Sequence, residues 1–172
     1  MTNLQTSLIV EAYLDRTRLV GLLANVAQNR RLVDILANQD STLELEWAEA
    51  RLSGGTEGYR FKSVVLKKSD LLYAIPRETS DQLRARALFR TGMSTQATAS
   101  MEVGILLRTC HLAGTTLVPP GMNRAKVDSS AFPRFFAVTG AQINHQDGTR
   151  TEEPVVIVNR DAIIAVGRPN ES

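Results

Sequence analysis

The strongest constraint on what this chain can fold into is that it matches itself. Residues 64–77 fall on residues 155–168 at a shift of 91 (161 − 70 = 91), with Val64, Val65, Asp70, Ala74 and Arg77 recurring as Val155, Val156, Asp161, Ala165 and Arg168. Without a gap, the same shift carries 45–52 onto 136–143. Upstream the shift becomes 93, pairing Ser7 with Ser100, Val10 with Val103, Leu14 with Leu107, Leu19 with Leu112, Gly21 with Gly114 and Arg31 with Arg124. This alignment makes the second copy two residues shorter near 38–42. Chance sliding of two strand-rich stretches matches aliphatic residues, whereas here Gly, Asp and Arg coincide as well. A fixed-period repeat implies one supersecondary unit used twice. The units are expected at 6–78 and 97–169, joined by 79–92.

Each unit opens with apolar, β-rich residues, 8–23 and 101–117, broken near Asp15-Arg16 and Arg108-Thr109. That pattern predicts two strands and a tight turn. Leu32, Ile35 and Leu36 have helical spacing and predict a short helix ended by Asn38, with a rigid Pro119-Pro120-Gly121 turn in its place in the second copy. In 42–52, Leu43, Leu45 and Trp47 alternate with Glu44 and Glu46, which predicts a strand with those three on the buried face. Turn-rich loops follow at 53–58 and 144–148. The unit closes on strands at 59–66 and 71–75, with Lys67-Lys68-Ser69-Asp70 as the bend. Five short strands favour a small barrel or strongly bent sheet, because curling protects exposed edges. The expected fold is therefore mainly β, a tandem pair of such units with a short connecting helix. Ser80 suits that helix's N-cap, Leu83, Ala87 and Arg90 share a face, and Gly92 suits its end.

The closing segment 64–75, together with Gly21 in the second strand, resembles the Sm-like small β-barrels. In that family an aliphatic strand, a basic-Gly bend and a second aliphatic strand end the fold and pair neighbouring subunits into rings. The likeness covers about two-thirds of each copy and rests on mostly aliphatic positions. Family members that bind RNA use an Asn before the third strand and the basic-Gly pair of the bend. Here Thr42 and Arg134 take the first place, and Lys68-Ser69 and Asn159-Arg160 the second. Neither bend carries the glycine, so the resemblance reaches further for fold than for RNA. The second copy, through 114–121, 135–141 and 156–166, is also similar to an uncharacterised family of small bacterial β-domains, which implies no chemistry.

Composition excludes several classes. The chain has 172 residues, 43% hydrophobic and 22% charged, and no apolar run of the roughly 20 residues that span a bilayer. Its first residues lack the basic and apolar regions of a secretory signal, so a cytoplasmic location is expected. Cys110 is the only cysteine, which rules out an internal disulfide and a multi-thiolate metal site within one chain. A net charge of +2 does not by itself point to nucleic acid.

The residues suited to chemistry are few. Cys110 and His111 are adjacent, and neighbours on a strand point to opposite faces, so a packed thiol and an exposed imidazole are expected, not a dyad. His145 and Asp147 supply two metal ligands where three or four are usual. Gly54, Gly55 and Gly58 match no phosphate-cradling spacing. No enzyme activity, cofactor or metal is expected. The reading is a non-enzymatic interaction or assembly protein that binds a protein partner or associates with itself through strand edges, as a pseudo-symmetric monomer or homo-oligomer. The alternative is weak, Sm-like RNA binding through Lys67, Lys68, Arg77, Arg160 and Arg168, where phosphate contacts would dominate.

Overall fold

Ten strands form one antiparallel sheet in this computed structural model, which describes residues 5–27, 30–77, 99–118 and 128–169, with side chains from residue 7 onward. The strands are β1 (Gln5–Tyr13), β2 (Thr17–Ala27), β3 (Thr42–Leu52), β4 (Gly58–Lys67), β5 (Tyr73–Arg77), β6 (Ala99–Leu106), β7 (Cys110–Val118), β8 (Phe135–His145), β9 (Arg150–Asn159) and β10 (Ala165–Gly167). One short helix, α1 (Leu32–Leu36), precedes β3, and 3-10 turns occupy Lys68–Asp70, Ser129–Ala131 and Arg160–Ala162. The linker helix expected at 79–92 and the turn at 119–121 lie outside the described residues.

The sheet runs β10-β6-β7-β8-β9-β5-β1-β2-β3-β4, so both halves of the chain place their fifth strand beside their first. Each half must curl to do so. Tyr73 pairs with Tyr13, Tyr13 with Arg18, Arg18 with Arg51 and Arg51 with Gly58, which puts the start of β5 level with the start of β4. In a flat sheet Lys67 and Tyr73 would be separated by the length of β4 and four strand spacings, about 35 Å. The six chain links between them span roughly 20 Å at most. The second half repeats the constraint: Ala165, Leu106, His111, Asn144 and Arg150 are level, and β9 ends at Asn159.

The ladders correct the sequence alignment. Gly21 and Gly114 lie at the ladder slips of β2 and β7, and Trp47 and Gly140 both adopt left-handed backbone (φ +49° and +57°). These matches differ by 93 (114 − 21 and 140 − 47), so the shift of 93 persists through the third strand and nothing is lost near 38–42. The turns at Lys68–Asp70 and Arg160–Ala162 differ by 92 (160 − 68), as do β5 and β10 (165 − 73). The offset falls from 93 to 92 at the loop between β8 and β9, which has four residues where that between β3 and β4 has five. Asp70 therefore corresponds to Ala162, not to Asp161. Sequence matching misplaced β3 because a slip of two preserves the alternation of faces. It misplaced β4 because a one-residue slip, which should exchange the faces, goes unpunished where both faces are aliphatic.

The left-handed residue also overturns the expected burial of Trp47. Leu43 and Leu45 are buried, but the turn of the backbone at Trp47 swings the indole out to 67% exposure and puts Ala48 inward instead. Gly21 lies opposite, where an added Cβ would stand 2.9 Å from Leu45 Cβ, so the close approach of β2 and β3 requires glycine.

Two apolar clusters make the core, and the halves share them. One, chiefly of β6–β9, takes in Leu72, Tyr73 and Ile75 from the first half. The other, chiefly of β1–β4 and α1, takes in Phe135 and Ile157 from the second. Strand β5 is buried on both faces, and its near-continuous Leu71 to Ile75 run reflects this.

Candidate functional site

The five basic positions singled out in the sequence do not form one patch of free charge. Lys67 and Arg168 are exposed. Lys68 is buried, and its ammonium donates to the carbonyl of Ile35 (3.0 Å) and to Asn38 Oδ1, tying the end of α1 to the bend after β4. Burial lowers its pKa. Arg160 donates to the Phe132 carbonyl (3.0 Å) and to Asp161. Arg77 lies at the seam between the halves, committed to two carboxylates.

That seam carries a polar network of five side chains, Arg77, Glu153, Glu11, Arg18 and Tyr13. Arg77 Nη1 and Nη2 form a fork with Glu153 of β9 (2.5 and 2.8 Å), while its Nε donates to Glu11 of β1 (2.9 Å). Glu11, with a side chain only 8% exposed, also accepts from Arg18 Nε (3.2 Å) and the Tyr13 hydroxyl (3.1 Å). Burial pushes the Glu11 carboxyl up, and the hydrogen bonds from Arg77 and Arg18 outweigh it, leaving the group below the usual carboxylate range. Hydrogen bonds to Glu153 and Glu11 hold the Arg77 guanidinium more firmly protonated. The sequence places Arg77 among the candidate RNA contacts and gives no sign of this clamp, because its partners are 66 and 76 residues away.

Backbone and apolar contacts complete the seam. Tyr73 pairs with Val158 and Ala74 with Ile157, and the Asn159 amide nitrogen donates to the Leu72 carbonyl (3.1 Å). The fully buried side chain of Asn159 donates to the carbonyls of Leu71 (2.8 Å) and Lys68 (3.4 Å). Tyr13 and Tyr73 stack with ring centroids 4.4 Å apart.

At the two ends of the sheet lie β4, which matches β9 in strand order, and β10, which matches β5; each has an outer edge with no strand beside it among the described residues. Their exposures differ as edge and interior do. Val65 is 61% exposed while its counterpart Ile157 (157 − 65 = 92) is 3% exposed. Ile164 is 61% exposed while its counterpart Leu72 (164 − 72 = 92) is 6% exposed. Tyr59 and Phe61 add aromatic surface to the β4 edge. Beside β10 an open hollow of about 830 Å³ is bounded by Gly104, His111, Gln142, Gly167 and Pro169.

The thiol and imidazoles are arranged differently from the sequence order. Cys110 is buried and His111 exposed, but the residue facing Cys110 across the ladder is His145. Burial pushes the Cys110 thiol up to about 11 against hydrogen bonds to Thr109 and Tyr73, so it is a poor source of thiolate. Asp147 accepts from the backbone nitrogen (2.8 Å) and hydroxyl (2.7 Å) of Thr149, closing the loop between β8 and β9. Among the described residues no three His, Cys, Asp or Glu side chains are grouped to hold a metal. No family model, curated protein or solved structure matches the chain significantly.

Proposed function

We propose that this chain is a non-enzymatic assembly module of two Sm-like repeats that acts through the edges of its sheet. The observation that carries the reading is the seam: the fifth strand of one repeat pairs with the fourth strand of the next, and the remaining fourth and fifth strands each keep an open outer edge among the described residues. Each repeat has the strand order and forced curl of a small bent barrel, and matching ladder slips at Gly21 and Gly114 support a duplicated unit. Because β4 and β10 are different surfaces, association through them is head to tail, giving a closed ring or an open filament.

The RNA reading has less support, since Arg77, Lys68 and Arg160 direct donors to protein acceptors. Light scattering and sedimentation of the purified chain over a range of concentrations test the assembly reading. Multiples of the 18.9 kDa chain are expected; a monomer at every concentration refutes it. Salt-sensitive retention of oligouridine would favour RNA instead.

A further inference from the structure

The internal seam specifies the counterpart contact in detail, including where its chemistry must differ. Applying the shift of 92 to the paired residues Tyr73–Val158 and Ala74–Ile157 gives Ala165–Leu66 and Val166–Val65. The bond from the Asn159 nitrogen to the Leu72 carbonyl becomes one from the Lys67 nitrogen to the Ile164 carbonyl. Lys67 takes the place of Asn159, with its ammonium near the counterparts of the Leu71 and Lys68 carbonyls, those of Ile163 and Arg160.

The ion pair is not conserved between the two contacts. Glu153 corresponds to Phe61 (153 − 61 = 92), Arg77 to Pro169 (169 − 77 = 92), and Glu11 to Gly104 (104 − 11 = 93). Where the seam has two carboxylates clamped by a guanidinium, the outer contact has an exposed phenyl ring on one side. On the other it has a glycine and a proline at the rim of the hollow. A Cβ added at Gly167 meets nothing within 4 Å, so this rim is open.

Resting on the assembly reading above, we infer that Phe61 of a second copy packs against the rim of the hollow where Pro169 and Gly104 adjoin, with β4 of that copy paired to β10. The occupant is a second copy because the register continues one seen within the chain, and because the substitutions on the two sides are complementary. An aromatic anchor in a water-excluding pocket is the usual centre of a protein interface.

The test compares solution mass for the wild type and five variants. Val65→Pro blocks the strand edge itself. Phe61→Ala removes the ring, and an increase in dissociation constant of about tenfold or more is expected. Gly104→Glu fills the hollow with an unpaired carboxylate; its Cβ would first meet the movable ring end of His111 at 3.3 Å, so the fold should tolerate it. Phe61→Arg should also dissociate the assembly, and the double variant of Gly104→Glu with Phe61→Arg should restore it by recreating an ion pair. Circular dichroism confirms that each variant is folded.

Assembly that is lost in Val65→Pro but unchanged in Phe61→Ala and Gly104→Glu overturns the seat and leaves the edge reading standing. A wild type that is monomeric at all concentrations overturns both. Loss in both single variants without rescue in the double variant overturns the assigned register.

Discussion

Replacing Arg77 with glutamine tests whether the seam holds the halves together. The substitution leaves Glu153 without its two-point partner and leaves Glu11 with Arg18 and Tyr13 alone. Removing one member of a buried ion pair costs about 3–5 kcal/mol. Arg77 is 38% exposed, and water screens what remains, so a loss of about 2–3 kcal/mol is expected. Urea unfolding at neutral pH measures it, and a cycle with Glu153→Gln isolates the pair. The loss should also depend on pH with a definite sign. The folded chain holds Glu11 below its ordinary carboxyl value of 4.5, so its stabilisation is complete above that value. That contribution fades as pH falls through the depressed folded value. Arg77 donates the hydrogen bond that most lowers Glu11, so the gap between wild type and Arg77→Gln should narrow on acidification from about pH 7 to about pH 3. A loss below about 0.5 kcal/mol, or one constant across that interval, would refute the account of the seam and return Arg77 to the status of surface charge.

Other expectations follow from single positions. Gly114→Ala should destabilise by about 1–3 kcal/mol, because the new methyl would lie 2.7 Å from Val138 Cγ1 and 2.8 Å from the Thr139 carbonyl oxygen; thermal unfolding checks this. Trp47→Gly should change stability by no more than about 1 kcal/mol, since relief of a left-handed backbone is offset by loss of the covered part of a side chain that is 67% exposed. The fluorescence of Trp47, the only tryptophan, should be that of a solvated indole and shift little on unfolding. Cys110, buried and with its thiol near 11, should react with iodoacetamide at pH 8 far more slowly in the folded chain than in urea; equal rates would contradict its packing.

Much of the local structure was legible in the order of residues. The strand breaks near Asp15 and Arg108, the short helix carrying Leu32 and Leu36, and the bend after Lys67 all lie where apolar periodicity and turn residues placed them. The register between the halves was less legible. The run from Val64 to Leu66 looks alike on both faces to a pattern of hydrophobicity, and only the ladders distinguish a shift of 91 from 92. Trp47 was misread for a related reason: alternation assumes a regular pleat, and a single left-handed residue resets it.

Hydrophobic spacing, acting over a few neighbours, settles that this chain makes short strands and gives them a repeated order. Which strand lies beside which depends on contacts between residues far apart in the chain, and those were decided only in three dimensions. The clearest cases are Arg77 between Glu11 and Glu153, and Asn159 reaching the carbonyl of Leu71. Charge and amide groups take their meaning from the partner that desolvates with them, and a linear sequence does not say which partner that is.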